Sequence, residues 1–480
     1  MTLGTRRIIY LSFIAIFLLI GAVLMFYATG YRLDLHNWRL RKVGIILLTS
    51  EQSDISIYLN NTLYPKKLIS GTLSLNGLLP GDYLVRAEKD NYSPWQKKII
   101  VRSGQTSFTE DVVLFRQSLP LPQALGKISW QSFSADKKSI VYLLLKNTSA
   151  DLLSIDLASR ESTLLYQLPL NIGENAEIIG WSAANKKILM NIKKNNINNY
   201  LILNIDKTME PVLLSGFVKT GAAGKTHREF IGNSFSQVKW DNTSDETLYG
   251  LIANQLYQID LAKKEASLYR SLEIEAEETI NDFTLIEGTV YFVKTNILNS
   301  YLVKLGDKIS FQIKLDRSPD YNLLPGNDQY LTVLEPKKGN LFLVNQSSFE
   351  NIALSQKNNE LIIKLPAKGA AWKPGSNTLL FYNDSEIFTY DLDKNEKNLV
   401  SRYGAMIKKA DWYPNFLYII ALVDNQLKAL EIYSQDKNIF DLLSLEQIDN
   451  FDISASGDKI FLEGKVGDQE GLYGLLVQEK

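Results

Sequence analysis

Apolar residues along this chain follow three successive patterns. Ile8–Ala28 runs for 21 positions without a charge. A helix of that length, rising about 1.5 Å per residue, matches a hydrocarbon layer about 30 Å thick. Between Val43 and Phe115 the apolar residues come in short runs separated by turn residues. Val43–Thr49, Ile55–Leu59, Gly71–Leu75, Tyr83–Glu88, Trp95–Val101 and Thr109–Phe115 are predicted strands. In one of them Tyr83, Val85 and Ala87 alternate with Leu84, Arg86 and Glu88, the period of a strand with one buried face. From residue 127 onward a third pattern repeats to the end of the sequence.

Its unit is an aromatic residue closing a short apolar strand, then a polar turn, then a second apolar strand. Phe133-Ser134-Ala135-Asp136, Trp181-Ser182-Ala183-Ala184-Asn185, Trp240-Asp241-Asn242, Trp372-Lys373-Pro374-Gly375 and Trp412-Tyr413-Pro414-Asn415 carry it, and four of the chain's seven Trp stand at this one place. Weaker copies centre on Phe283, Leu324 and Ile453. Neighbouring copies lie 40 to 59 residues apart and leave room for four strands each, the mark of a β-propeller. In the first copy the strands are Ile128–Phe133, Ser139–Leu145, Leu152–Leu157 and Ser162–Leu168. A tight hairpin asks for positive φ or a side chain that bonds its own backbone, hence the Asn, Asp, Gly and Ser in the turns. One blade cannot bury both of its faces, so Phe133, Trp181, Trp240, Phe283, Trp372 and Trp412 are read as wedges packed between blades. Eight units can be counted, or seven if the Leu324 copy is false. The last unit offers three strands, so Arg116–Gly126 is expected to add its outer strand and close the ring.

This stretch resembles the WD40-like propellers of the TolB type, whose repeat carries W/F-S-P-D-G-K at the same turn. Only Trp372-Lys373-Pro374-Gly375 keeps the Pro-Gly pair. Upstream, Leu79-Pro80-Gly81-Asp82-Tyr83-Leu84-Val85, followed by Asn91-Tyr92-Ser93-Pro94-Trp95, resembles the PEGA domain, a small sandwich-like β module of bacterial and archaeal surface proteins. Gly81, Tyr83, Tyr92 and Trp95 match its pattern. Asn91 replaces the usual Gly, and Asn tolerates left-handed backbone better than most residues. Glu51-Gln52-Ser53-Asp54 stands where the namesake turn would be.

The expected organisation is a cytoplasmic tail (1–7), a transmembrane anchor (8–28), a juxtamembrane segment (29–42), a PEGA-like β domain (43–115), a linker (116–126) and a propeller (127–480). The fold class is mainly β behind a single helix. Tyr10 near one end of the apolar run, and Tyr27, Tyr31 and Trp38 near the other, suit membrane–water interfaces. A cleavable signal peptide would have an apolar core of about 7–15 residues and a small-x-small site. Ile8–Ala28 is longer and Ala28-Thr29-Gly30 is a poor site, so the run is read as uncleaved. Arg6 and Arg7 precede it, and Arg32, Arg39, Arg41 and Lys42 follow, so charge alone leaves the orientation open. The Arg pair abutting the run, and the extracytoplasmic domain types implied by resemblance, favour an inside N-terminus.

Charge and composition narrow the chemistry. Lys+Arg is 52 against 53 for Asp+Glu, which offers no basic excess for nucleic acid. Cysteine is absent and the two histidines are His36 and His227, so thiol chemistry, His/Cys metal clusters and most Ser–His–Asp arrangements are without material. Gly224-Lys225-Thr226 resembles the end of a P-loop, but Lys219 stands where its first Gly belongs. The longest spacing between repeats holds this segment, and its Lys219, Lys225, His227 and Arg228 form a candidate loop for an acidic partner. Asp391/Asp393 and Glu275/Glu277/Glu278 are read as solvated acids. No catalytic, cofactor-binding or metal-binding residue is assigned. The expected role is binding or scaffolding in the cell envelope, through a protein or polymer partner. Alternatives are a propeller enzyme acting on cell-surface glycans and a TolB-like envelope assembly factor.

Overall fold

The computed structural model describes all residues except 1–2, 35–37, 70, 110–111, 135–137, 158–160, 170–174, 196, 206–209, 221–228, 233, 307–309, 325, 328, 352–361, 433–435 and 480. The chain forms two compact units. The first is Met1–Leu119 with Ala429–Leu442 and Leu476–Lys480, and the second is Pro120–Lys428 with Leu443–Leu475.

The first unit opens with the helix Leu3–Ala28. It starts before the uncharged run: Gly4 falls in the first turn, where a poor helix former costs least, and Arg6 and Arg7 propagate a helix well. It ends where Gly30 takes φ +85° and the Thr29 hydroxyl donates back to the Met25 carbonyl at 2.8 Å. A hairpin of Tyr31–Asp34 and Arg39–Lys42 follows within the expected juxtamembrane segment. Two small sheets come next. One runs Gly71–Leu78, Gly44–Ser50, Thr106–Phe108; the other runs Thr62–Leu63, Ser56–Leu59, Gly81–Glu88, Trp95–Val101. Gly44–Ser50 buries every second residue, and Ile46, Leu48, Ile57, Leu75, Val85, Ala87 and Trp95 form the core.

One expected strand is corrected. Among the described residues, Thr109 and Val112–Phe115 join no ladder; the strand here is Thr106–Phe108, parallel to Gly44–Ser50. Val112–Phe115 is nonetheless buried: the Val112 nitrogen donates to the Thr49 carbonyl at 2.7 Å, and the Gln52 side chain brackets Leu114 as a strand neighbour would. Its amide nitrogen donates to the Leu114 carbonyl at 2.9 Å and its oxygen accepts from the Leu114 nitrogen at 2.7 Å. The segment Glu51–Asp54 thus carries an internal bracket.

In the second unit and the segments continuous with it, eight sheets follow one another among the described residues, antiparallel but for one added strand in the third. Their first strands are Lys127–Phe133, Asn175–Trp181, Gln237–Trp240, Thr279–Ile286, Asn322–Leu324, Gly369–Trp372, Ile407–Trp412 and Gln447–Ile453, and they define blades 1 to 8. The copy around Leu324 is a real blade. First strands of successive blades touch one another, as at blades 1–2, 2–3, 4–5, 6–7 and 7–8. Blade 8 is completed by Leu121–Leu125, which pairs antiparallel with Gln469–Leu476. The closing strand expected from Arg116–Gly126 is therefore present. The fold is a β-propeller whose sheets bury apolar faces against their neighbours; Val141, Leu143, Ile188, Met190 and Leu201 of blades 1 and 2 share one cluster. Blade 3 alone has six strands, with Val218–Thr220 and Glu229–Phe230 added at its outer edge.

Candidate functional site

Phe133, Trp181, Trp240, Trp372 and Trp412 close the first strands of their blades, whereas Phe283, expected at the same place, stands inside a strand that runs on to Ile286; the indole N–H groups reach backward. Trp181 Nε1 donates to Ser132 Oγ at 3.3 Å, Trp240 Nε1 to the Gly180 carbonyl at 3.1 Å, and Trp412 Nε1 to the Ala371 carbonyl at 2.9 Å. Each acceptor sits one residue before the anchor of the preceding blade. Trp372 instead donates to Thr332 Oγ1 at 2.9 Å, on the second strand of blade 5. Phe133 and Phe283 have no donor. Phe283 is fully buried, and Phe133 meets Phe461 of blade 8 edge-on at 5.5 Å.

Charges on the first strands are spent on the same task. Lys239 of blade 3 pairs with Asp282 of blade 4 at 2.5 Å. Asp282 also accepts from the Leu323 nitrogen of blade 5 at 2.8 Å. Lys409 of blade 7 donates to Asp452 and Asn450 of blade 8 at 3.0 and 3.1 Å, and to the Phe451 carbonyl at 2.6 Å. These groups were not singled out in the sequence. The signal was there in register: Lys239 and Asp282 each precede a repeat anchor by one residue.

The acidic clusters divide. Asp391 accepts from the Lys394 nitrogen at 3.1 Å, which holds its carboxyl below the usual range despite partial burial. Glu278 departs from the expected solvated face. It is buried and pairs with Lys294 at 2.8 Å. Burial pushes its carboxyl up, and the Lys294 ammonium with the Glu275 N–H more than reverses that, so it lies low.

The blade 3 insertion gives the clearest recess. Lys219 lies in the strand Val218–Thr220, parallel to Glu265–Ser271, with its ammonium 4.8 Å from the Tyr257 ring centre. Lys225, His227 and Arg228 lie outside the described residues, as does His36. Beside the insertion is a cavity of about 640 Å³ whose lining includes Lys187, Asn204, Glu210, Phe217, Glu246 and Lys264. Lys187 and Glu246 of that lining form an ion pair, and Ile202, Val212 and Phe217 supply its apolar part. A second cavity of about 420 Å³ is lined by Trp240, Asp241, Asn242, Tyr249, Glu287 and Asn327. There burial, then the Asp241 charge, pushes the Tyr249 hydroxyl up to about 12.

Glu463 is the one carboxyl raised toward neutrality among the described residues. Burial, then the charge of Asp449, pushes it up to about 7. Neither acid lines the cavities above. Among the described residues no cluster of His, Asp and Glu could hold a metal ion.

In the first unit, the residues matching the small-domain motif play separate parts. Tyr83 donates to the Leu79 carbonyl at 2.9 Å and clasps the Leu79-Pro80-Gly81 turn while staying half-buried. Trp95 is 1% exposed. Tyr92 is buried, and its hydroxyl accepts from the Glu479 nitrogen at 3.2 Å. Asn91 takes φ +65°, the left-handed position its sequence context asked for. Lys97, partly buried, and the buried Glu431 form an ion pair at 2.7 Å, and Phe115 packs on Phe440 with ring centres 5.2 Å apart.

No family model matches the sequence. No curated protein matches it either. Among solved structures, the Dos1 propeller is similar with a TM-score of 0.48 at 12% identity, over 75% of this chain and 96% of that one. The C-terminal WD40 domain of Sif2 gives 0.47 at 13% identity, over 76% and 98%. An oligogalacturonate lyase in complex with manganese gives 0.42 at 10%, over 74% and 99%. The propeller assignment rests on the eight sheets and their closure.

Proposed function

We propose that this protein is a membrane-anchored binding or scaffolding protein of the cell envelope, with most of its chain outside the cytoplasm. The carrying observation is the helix Leu3–Ala28, whose large apolar side chains from Ile8 to Tyr27, Ile9 excepted, are 48% to 74% exposed. Water does not tolerate so large an uncovered apolar surface, and a bilayer is the solvent that suits it. Its length favours a retained anchor over a removable signal. The sheets between residues 43 and 115 are read as a PEGA domain on the strength of Gly81, Tyr83, Tyr92 and Trp95, and the ring as a TolB-like propeller.

The partner surface is assigned to the blade 3 insertion, with Lys219, Lys225, His227 and Arg228 facing an acidic protein or an anionic polymer. The balanced charge of the chain supports neither DNA nor RNA as that partner. The reading favours a scaffold over an enzyme because the first-strand charges Lys239, Asp282, Lys409 and Asp452 bond blade to blade. No cofactor enters it. Affinity capture of the full-length protein from native membranes in mild detergent tests the function. Recovery of one stoichiometric envelope partner is expected, and recovery of none overturns it. Protease added to intact cells should digest the bulk of the chain; protection until lysis reverses the topology. If the partner is an assembly machine, the TolB-like role is the specific form of this reading.

One observation favours a glycan-cleaving enzyme as the second reading: the raised carboxyl of Glu463 beside Asp449, since glycosidases pair a protonated with an ionised acid. Release of reducing ends from envelope glycan by wild type, lost in Glu463→Gln, would establish it.

A further inference from the structure

The hairpin after the apolar helix is two-faced in a way that anchoring alone does not require. Tyr31 pairs with Lys42, Arg32 with Arg41, Leu33 with Leu40 and Asp34 with Arg39. Opposed residues share a face, and faces alternate along each strand. One face therefore holds Tyr31, Leu33, Leu40 and Lys42, and the other holds Arg32, Asp34, Arg39 and Arg41. Leu33 and Leu40 are 48% and 53% exposed, and Trp38 at the turn is 79% exposed. The single acid, Asp34, is buried and lies 3.4 Å from Arg41. The surface of the hairpin is thus apolar, aromatic and cationic.

Its position is fixed with respect to the helix. An Arg32 guanidinium nitrogen donates to the Tyr27 carbonyl at 2.9 Å, and the group lies 3.4 Å from the Tyr27 ring centre. The Val43 nitrogen donates to the Gly30 carbonyl at 2.8 Å. The Tyr31 ring meets Phe26 edge-on at 5.9 Å. Only Thr29 and Gly30 separate helix from hairpin. Two residues reach at most about 7 Å, no more than one headgroup layer of about 5–7 Å. If the helix spans a bilayer, the base of the hairpin at Tyr31 and Lys42 cannot clear the interface, and the exposed Leu33, Leu40 and Trp38 favour laying the rest down on it.

We infer that this hairpin lies on an anionic phospholipid leaflet, with Leu33, Trp38 and Leu40 at the acyl-chain boundary, and with Lys42 of the same face and the long, exposed Arg39 side chain bent around from the other face among the phosphates. The inference rests on reading Leu3–Ala28 as a membrane span. Apolar and aromatic groups fix the depth of such an element, and clustered cations select negatively charged lipid. The hairpin then orients the first unit against the membrane, where a bare helix would leave it free to swivel.

The chain has no cysteine, so single labels are clean. Ile14→Cys, Leu40→Cys and Ile297→Cys, each carrying a nitroxide, are placed in the full-length protein. The protein is reconstituted in phosphatidylcholine vesicles with or without about 30% phosphatidylglycerol. Collision with oxygen and with a water-soluble nickel chelate reports depth. The label at 14 should read as hydrocarbon and that at 297 as water. The label at 40 should collide with nickel several-fold less often than that at 297 in anionic vesicles. Arg39→Gln with Lys42→Gln, or about 1 M salt, should remove much of this protection. A label at 40 as open to nickel as that at 297, with 14 still in hydrocarbon, overturns the hairpin inference and leaves the anchor standing. Equal protection in both vesicle types, unchanged by Arg39→Gln with Lys42→Gln, overturns the preference for anionic lipid. A label at 14 in water overturns the anchor itself and the hairpin with it.

Discussion

The indole N–H of Trp240 points at the carbonyl of Gly180, 3.1 Å away on the first strand of the preceding blade. A Cβ added to Gly180 would sit 3.9 Å from the Trp240 ring, in ordinary contact. The bond therefore depends on the donor. Trp240→Phe keeps most of the packing and removes the N–H, at an expected cost of about 0.5–1.5 kcal/mol. Gly180→Ala should change stability less. Paired urea titrations check both, and equal losses would show that packing alone matters.

Gly457 is the tighter constraint. It has φ +73°, its carbonyl accepts from the Tyr413 hydroxyl at 2.7 Å, and an added Cβ would lie 2.8 Å from the Tyr413 ring. Gly457→Ala combines backbone strain with a clash and should cost about 1–3 kcal/mol. Calorimetry of Gly457→Ala against Gly375→Ala, where φ is also positive but nothing lies within 4 Å, separates the two causes.

In the first unit Trp95→Ala should cost about 3–5 kcal/mol, since the ring is fully buried. Tyr83→Ala should cost less, because the ring is half-buried and contributes mainly its bond to Leu79. A fragment spanning residues 43–115 is proposed to fold alone, but it lacks Glu431 and Phe440, the partners of Lys97 and Phe115. It should melt cooperatively at a lower temperature than the same unit in the full chain. Absence of any cooperative transition would exclude that boundary.

Glu463 makes stability depend on pH with an unusual sign. Its folded carboxyl is raised to about 7 from an ordinary 4.5, so between these values the folded state binds more protons than the unfolded one. Stability from this group is present below pH 4.5 and falls as pH rises toward 7. Glu463→Gln should raise the melting temperature at pH 8 and leave it nearly unchanged at pH 4.5. A uniform shift at both pH values would assign the effect to packing.

For the blade 3 insertion, Lys219→Ser with Lys225→Ser and Arg228→Ser should leave the melting temperature within a degree or two and weaken partner capture. The loss should shrink as salt rises, because screening already removes what the cations contribute. Equal retention of both proteins on native envelope material would remove this surface from the proposal.

The propeller was legible because its repeat is written in residues that local geometry demands. A Trp or Phe before a polar turn marks five of the eight copies, and even the weak Leu324 copy heads a blade. Asn91 was legible for the same reason. The misses share another cause. Val112–Phe115 has the apolar pattern of a strand, yet Leu114 is held by the side chain of Gln52, which no periodicity reveals. Glu278 looked solvated because its partner Lys294 arrives from the next strand. The hairpin after the helix was hidden because its polar face reads, along the chain, as scattered arginines.

The strand Leu121–Leu125 pairs across the ring closure with Gln469–Leu476, placing Leu121 opposite Gly474 and Leu125 opposite Gly471. A ribosome releases the first of these long before the second, so a bare strand edge must wait for nearly the whole ring to be made. Such edges invite pairing with the wrong chain. Pro120 and Pro122 withhold two N–H donors from that edge while it waits. The same residues that shape the closing strand thus guard it during synthesis, and replacing Pro122 with Val should show itself first as aggregation of newly made chains, before any change in the melting of those that finish folding.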